Sequence, residues 1–425
     1  MKTTLAQVRS FNRPIRLLLV NQLTINVGFY MLMPYLALYL ADDLGLAVWL
    51  VGLILGVRNL SQQGMFLLGG SLADRIGYKP MIMAGLVLRS VGFALLGLVE
   101  AVPALIVASA LTGLAGALFN PAARAYLAQE AGERKVEAFA VFNVFYQTGI
   151  LAGPLIGLLL NGVAFRLICL VAATLFTILA VVQVRALPAR AGSRAGAKAG
   201  LLQDWRQVIG NRAFLLFSLA MIGSYVLTFQ VYLGLPIEVR RLTGEEVGVT
   251  LLFMLSGGLA IVGQVRITAW AKARWTSGQA MARGLGLMGA SFVPLALSAS
   301  VTLPPLAAAP WLAHAGALLP VLLTAGLLST ATMIVYPFEM ATIAALGGDR
   351  MIGTYYGFYN TVSGIGIALG NLLTGAALDG GRQAGVPSLP WWGLAVLGGA
   401  CAMAVFALDR SGRLTPDQKP QVVLA

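Results

Sequence analysis

Residues 47–99 read AVWLVGLILGVRNLSQQGMFLLGGSLADRIGYKPMIMAGLVLRSVGFALLGLV, two apolar runs joined by a short charged turn at Asp74, Arg75 and Lys79. An α-helix rises about 1.5 Å per residue, so each run is long enough to cross a hydrocarbon core about 30 Å thick. In lipid every backbone N–H and C=O has to be satisfied by protein, which leaves helices or a closed barrel. Long apolar runs, not short alternating segments, recur along the whole chain, so the expected class is all-α and membrane-spanning. Composition agrees: 58% of the 425 residues are hydrophobic and 11% charged, with a mean hydropathy of +0.83, far from soluble proteins.

Working outward from this stretch, spans are expected near 15–40, 47–72, 81–99, 103–126, 138–160, 165–186, 213–236, 247–270, 282–301, 316–345, 354–377 and 391–408. The basic N-terminus leads into an apolar run too long for a signal peptide and without a small-residue cleavage site, so it stands as the first span. An even number of spans puts both termini on one side. Of the 29 Lys and Arg residues, outer loops would hold Arg166, Arg240, Arg241 and Arg382, and the spans Arg58, Arg89 and Arg124. The others lie on the side of the termini, which predicts a multi-pass protein of the bacterial inner membrane with both termini cytoplasmic. Basic loops facing an anionic leaflet account for the net charge of +13 without nucleic acid.

The long polar stretch ALPARAGSRAGAKAGLLQDWRQVIGNR, residues 186–212, divides the chain near its middle. The expected organisation is a six-helix bundle over 1–186, a cytoplasmic linker over 187–212 and a second six-helix bundle over 213–425. Internal similarity supports it: Asn120-Pro121 through Glu133-Arg134 maps onto Tyr336-Pro337 through Asp349-Arg350, and Asn143, Gly149 and Gly153 onto Asn360, Gly366 and Gly370. Side-by-side repeats, each carrying half of a central site, are a common transporter architecture.

Two motifs are dense enough to carry a resemblance. GGSLADRIGYKP, residues 69–80, places Gly70, Asp74, Arg75, Gly77 and Lys79 between the second and third spans. It resembles the signature loop of the major facilitator superfamily. Gly70 permits close helix approach, and Asp74 can accept from a neighbouring helix N-terminus or an arginine. In the fifth span Gly149, Gly153, Pro154 and Gly157 form a small-residue stripe with a helix-weakening proline. It resembles the superfamily's antiporter motif, with plain helix packing as the alternative. The resemblance covers essentially the whole chain and, through residues 51–97, is strongest to the MdtH group of drug:proton antiporters. It implies two six-helix bundles working by alternating access, a monomer in the bilayer, protons and a small lipophilic compound as partners, and no cofactor. Two departures matter. Asn21 stands where that group tends to carry an acid, and the usual arginine early in the fourth span is replaced near Ser109.

Charged groups inside a membrane are costly and therefore functional candidates. Glu339 is the carboxylate that falls within a span, and Arg124 occupies a similar depth in the matching repeat. Burial disfavours a carboxylate's charge and a nearby arginine favours it, so a carboxylate that exchanges partners can load and release a proton. Arg124 and Glu339 are expected to pair when the cytoplasmic side is closed and to part when it opens. The alternatives are a permanent ion pair, or Glu339 satisfied by Tyr336 or Thr342. Arg58, with Gln62 one turn on, should face a polar cavity, while Arg89 suits a structural role equally well. The resemblance implies a pathway between spans one, four, seven and ten, lined by Asn21, Asn26, Tyr30, Tyr225, Gln230 and Tyr336.

Other chemistries find little to work with. His314 lies at the outer start of the tenth span, Cys169 and Cys401 sit singly in apolar runs, and no phosphate-binding loop occurs, so neither an enzyme nor a metal site is expected. A non-transporting sensor on the same fold would favour long soluble extensions. Three intramembrane arginines against one glutamate also leave open a dedicated exporter of a polar metabolite such as a siderophore, beside a multidrug pump.

Overall fold

In the computed structural model, residues 2–161, 165–190, 192, 200–243, 247–299, 311–348 and 351–414 are described. They form α-helices and no strand. A surface helix α1 (Lys2–Ser10) precedes α2 (Arg13–Leu38), which runs into a π-helical turn at Tyr39–Asp43, and then come α3 (Val48–Ile76), α4 (Tyr78–Leu98) and α5 (Val102–Ala131). After α6 (Lys135–Asn161) and α7 (Phe165–Ala186) the chain crosses to its second half through α8 (Leu201–Gly210). That half comprises α9 (Arg212–Phe229), α10 (Gly234–Thr243), α11 (Val247–Arg274), α12 (Ser277–Ala290), α13 (Val293–Ser298), α14 (Trp311–Leu346), α15 (Ile352–Gln383) and α16 (Leu389–Arg410).

Each expected span coincides with one of these helices or with a broken pair of them. Ten helical stretches among the described residues are long and apolar enough to cross a membrane, one of which, Val102–Gly157, joins α5 and α6. Helix α3 falls outside that set because Arg58, Asn59, Ser61, Gln62 and Gln63 gather in its middle. Side chains such as Leu60, Leu372, Val396 and Met403 point outward with at least 69% of their surface exposed, as a lipid-facing wall requires.

Several boundaries differ from the sequence expectation, each for a local reason. The seventh span breaks after Phe229, because Gly234 and Pro236 start a new helix, α10, on a turn over Gln230–Leu233. The ninth breaks ahead of Pro294, with Ser291 donating its hydroxyl back to the Met288 carbonyl at 2.6 Å. Within the supposed linker, Leu201, Trp205 and Val208 recur at helical spacing and fold α8 against the protein. Residues 191 and 193–199 of the linker, and Asp349 and Arg350 of the internal repeat, lie outside the described residues.

Helices of the first half pack on one another, α2 on α6 and α7, and α5 on α3 and α4. In the second half α14 packs on α11 and α12, and α16 on α12 and α9. The halves meet where α3 and α5 contact α15, and where α6 contacts α11 and α14. One end of the molecule carries most of the basic residues, including α1, the α3–α4 turn, the α5–α6 turn and α8; it is called the basic end below.

Candidate functional site

At the basic end α3 and α15 are locked together through the 69–80 motif. Gly70 lies so close to α15 that a Cβ there would stand 2.0 Å from the Gly353 carbonyl oxygen, so no larger side chain fits. Four residues on, Asp74 is 1% exposed and accepts from the Gly353 N–H at 2.9 Å, the Thr354 N–H at 2.6 Å and the Thr354 hydroxyl at 2.7 Å. The carboxylate thus caps the N-terminus of α15, where a negative charge meets free N–H groups and the helix dipole. Tyr78 donates to the same carboxylate at 3.2 Å. Arg75 pairs with Asp204 of α8, and Trp205 of α8 donates to the Ser71 hydroxyl at 2.8 Å. Gly77 takes a φ of 111°, and Lys79 reaches the Val184 carbonyl at the end of α7.

A second set of contacts crosses between the halves nearby. Asn143 of α6 donates to Gln264 of α11 at 2.7 Å, and Gln264 donates onward to the Met333 carbonyl of α14 at 2.8 Å. Closer to the surface Lys272 meets Glu137 at 2.6 Å. With the Asp74 cap these contacts hold the basic end shut.

The stripe on α6 packs within the first half. A Cβ at Gly149 would lie 2.5 Å from the Asn26 Cβ, one at Gly153 would lie 2.8 Å from the Tyr30 Cβ, and one at Gly157 would lie 2.2 Å from the Met31 carbonyl oxygen. Pro154 leaves its carbonyl to the Tyr35 hydroxyl at 3.0 Å. The stripe brings the α2 and α6 backbones together and so aims Tyr30 inward.

Deeper in, α14 and α5 place Glu339 and Arg124 seven residues before their ends at Leu346 and Ala131, about 10 Å from the basic end. The two side chains are not bonded to each other. Arg124 donates to Asn360 of α15 at 2.7 Å and lies among Tyr146, Tyr225, Tyr336 and Tyr356. Glu339, 2% exposed, accepts from the Ser224 hydroxyl of α9 at 3.0 Å and from the Tyr359 hydroxyl of α15. Neither Tyr336 nor Thr342, on its own helix, takes that role, because the carboxylate points across to the neighbouring helices. Asp74, Asp204 and Glu238 are also buried, but each meets a base or a helix N-terminus.

The expected pathway residues divide into two groups. Tyr30, Arg58, Gln62, Tyr225 and Tyr336 are half-buried, with the Tyr30 hydroxyl near those of Tyr146 and Tyr232. Arg58 donates to Asn59 at 2.7 Å and Gln62 at 3.0 Å and lies 4.5 Å from the Phe29 ring centre. Asn21, Asn26 and Gln230 are sealed instead, at 0%, 5% and 0% exposure. Asn21 accepts from Gln183 of α7, while Asn26 and Gln230 donate back to carbonyls of their own helices. Pairing is partial, because the Asn21 Nδ2 and the Gln230 Oε1 are buried without a hydrogen-bond partner. Arg89 faces Phe29 and Phe176 inside the first half.

Sequence reasoning missed Ser224, Tyr359, Tyr146 and Gln264. Tyr359 stands beside Asn360, which the internal repeat had marked, and Ser224 beside Tyr225. Cys169 and Cys401 are buried free thiols, and the His314 side chain lies outside the described ones. No group of metal-ligating side chains occurs among the described residues.

Comparison with known proteins supplies a frame for this geometry. Residues 18–371 match the Major Facilitator Superfamily. An uncharacterised transporter of that type from Mycobacterium tuberculosis is 47% identical over 403 residues, 94% of each chain. The multidrug resistance protein MdtH of Yersinia enterocolitica is 32% identical over 92% of this chain and 93% of its own. MdtH of Cronobacter sakazakii is 30% identical over 97% and 98%. Among solved structures, the human organic anion transporter MFSD10 superposes with a TM-score of 0.67 at 16% identity, covering 92% of this chain and 99% of its own.

Proposed function

The chain belongs to the major facilitator superfamily of membrane transporters, and from that premise we propose that it is a proton-coupled exporter of small lipophilic compounds working by alternating access. The observation that carries this reading is Glu339, a buried carboxylate with no ion pair among the described residues, held by two hydroxyls from α9 and α15 of its own half. A carboxylate in that setting is stable when protonated and becomes stable as an anion when Arg124, now bonded to Asn360, turns towards it. Opening the basic end carries Arg124 away from both Asn360 and Glu339, because it belongs to the first half and they belong to the second. Proton loading is thereby tied to which side is open.

The moving units are 1–186 and 213–425, joined by 187–212, with the protein working as a monomer in the inner membrane. The termini and the basic end face the cytoplasm, where the excess of Lys and Arg favours them. Relatives named for multidrug resistance support export of varied compounds. The half-buried tyrosines Tyr30, Tyr146, Tyr225 and Tyr336 offer broad surfaces with few directional demands. The surplus of buried arginine favours a second reading, in which the cargo is a polar anionic metabolite such as a siderophore.

The experiment is proton flux in oriented proteoliposomes under an imposed pH gradient, on adding lipophilic cations, neutral drugs and lipophilic anions one class at a time. Proton movement triggered by unrelated lipophiles supports the reading. Movement confined to one polar anion supports the dedicated exporter, and silence with every class overturns proton coupling.

A further inference from the structure

The first half holds more positive charge inside the membrane than its own structure uses. Arg89 of α4 is 5% exposed, yet it has no hydrogen-bond or ion-pair partner among the described residues, and its Nε is unsatisfied. Its guanidinium carbon lies 5.9 Å from the ring centres of both Phe29 and Phe176, so aromatic faces are its surroundings. Arg58 of α3 lies over the same Phe29 ring at 4.5 Å and donates to neutral side chains, with its Nε also buried and unpaired.

A guanidinium does not escape burial by losing its proton. Aromatic faces and amide oxygens offset part of the desolvation without neutralising the charge. No carboxylate among the described residues reaches ion-pair distance of either arginine, and the ion pairs that do occur, at Arg75, Arg190, Arg241 and Lys272, lie towards the ends of the spans. Tyr30 also lies by Arg58, and the hydroxyls of Tyr146 and Tyr232 lie by that of Tyr30. Donors and fixed positive charge converge there with aromatic walls and no acceptor of matching charge.

We propose that the cluster of Arg58, Tyr30 and Phe29 is a receptor for an organic anion: one carboxylate or sulfonate group on an aromatic or otherwise lipophilic body. The anionic oxygens take the free guanidinium face of Arg58 and the tyrosine hydroxyls, and the body lies on Phe29 and Tyr30. Arg89, behind Phe29, acts through its field and not by contact. The inference rests on reading this cluster as part of the transport pathway and names the cargo's chemistry. It has an energetic consequence: one monoanion leaving for one proton entering moves two positive charges inward, so both the membrane potential and the pH gradient drive export. Exchange of a monovalent cation for one proton would be indifferent to the potential.

The test uses a matched series of 1-naphthaleneacetate, 1-naphthaleneacetamide and 1-naphthylethylammonium. Affinities for the purified full-length protein are measured by calorimetry, and transport currents are measured in proteoliposomes clamped at different potentials. The expected result is that the carboxylate binds about tenfold or more tightly than the other two. Arg58→Gln loses that preference and Arg58→Lys keeps most of it, with size-exclusion profile and melting temperature unchanged. Arg89→Gln reduces it less. Equal binding of anion and cation, or an anion preference that survives Arg58→Gln, overturns the inference. Proton movement with cations but no anion preference removes the inference and leaves the proposed coupling standing; anion preference without proton movement removes the coupling and leaves the receptor.

Discussion

Arg58, Arg89 and Arg124 occupy the spans of the first half and Glu339 those of the second, and the two halves house their charges in opposite ways. The arginines carry charge that burial cannot remove, and they are bedded on aromatic rings, amides and phenols. Glu339 can shed its charge by taking a proton, and it rests on two hydroxyls that tolerate either form. A fixed charge suits holding a ligand, and a removable one suits keeping count of protons. Under the proposed function, the difference gives cargo binding to the first half and proton exchange to the second, with the Arg124–Asn360 bond joining them.

The largest way to break this comparison is to remove the switchable charge. Glu339→Gln keeps the hydroxyl contacts and abolishes proton exchange, so gradient-driven transport should fall by about 100-fold or more while cargo binding stays measurable by calorimetry. Next comes the clamp. Asp74→Ala leaves two backbone N–H groups and the Thr354 hydroxyl without their acceptor, which should cost the closed state about 3 kcal/mol and lengthen spin-label distances across the basic end. Replacement of Gly157 by Ala pushes a Cβ onto the Met31 carbonyl and should cost about 1–3 kcal/mol in detergent melts, without altering cargo selectivity. The smallest effect belongs to Lys272→Gln. Its bond to Glu137 is half exposed, so the loss should stay within about 1 kcal/mol and shrink further in high salt.

Much of the fold was legible because a bilayer demands apolar runs of a set length, and α2 through α7 fall within a few residues of where those runs lie. The Asp74 cap was legible as one of two options, since a carboxylate beside glycines at a helix end has few other uses. The break after Phe229 was not, because Gly234 and Pro236 lie in a run that stays apolar throughout. The partners of Arg124 and Glu339 were hidden for a different reason. Asn360 and Tyr359 come from α15 and Ser224 from α9; Ser224 is 115 residues from Glu339 and Asn360 is 236 from Arg124, and Tyr359, though 20 residues from Glu339, sits on a separate helix, so no local spacing reveals them. Asn21 is legible as a polar residue in a span, but its neighbour is not: Gln183 of α7, 162 residues away, donates to its side-chain oxygen inside the bundle.

The most direct test of the division between the halves is difference infrared spectroscopy of the protonated carboxyl band on stepping pH, with and without bound naphthaleneacetate. The account predicts a band that shifts when the cargo binds, vanishes in Glu339→Gln and persists in Arg58→Gln. A band that survives in Glu339→Gln, or one that ignores the cargo in the native protein, would contradict it.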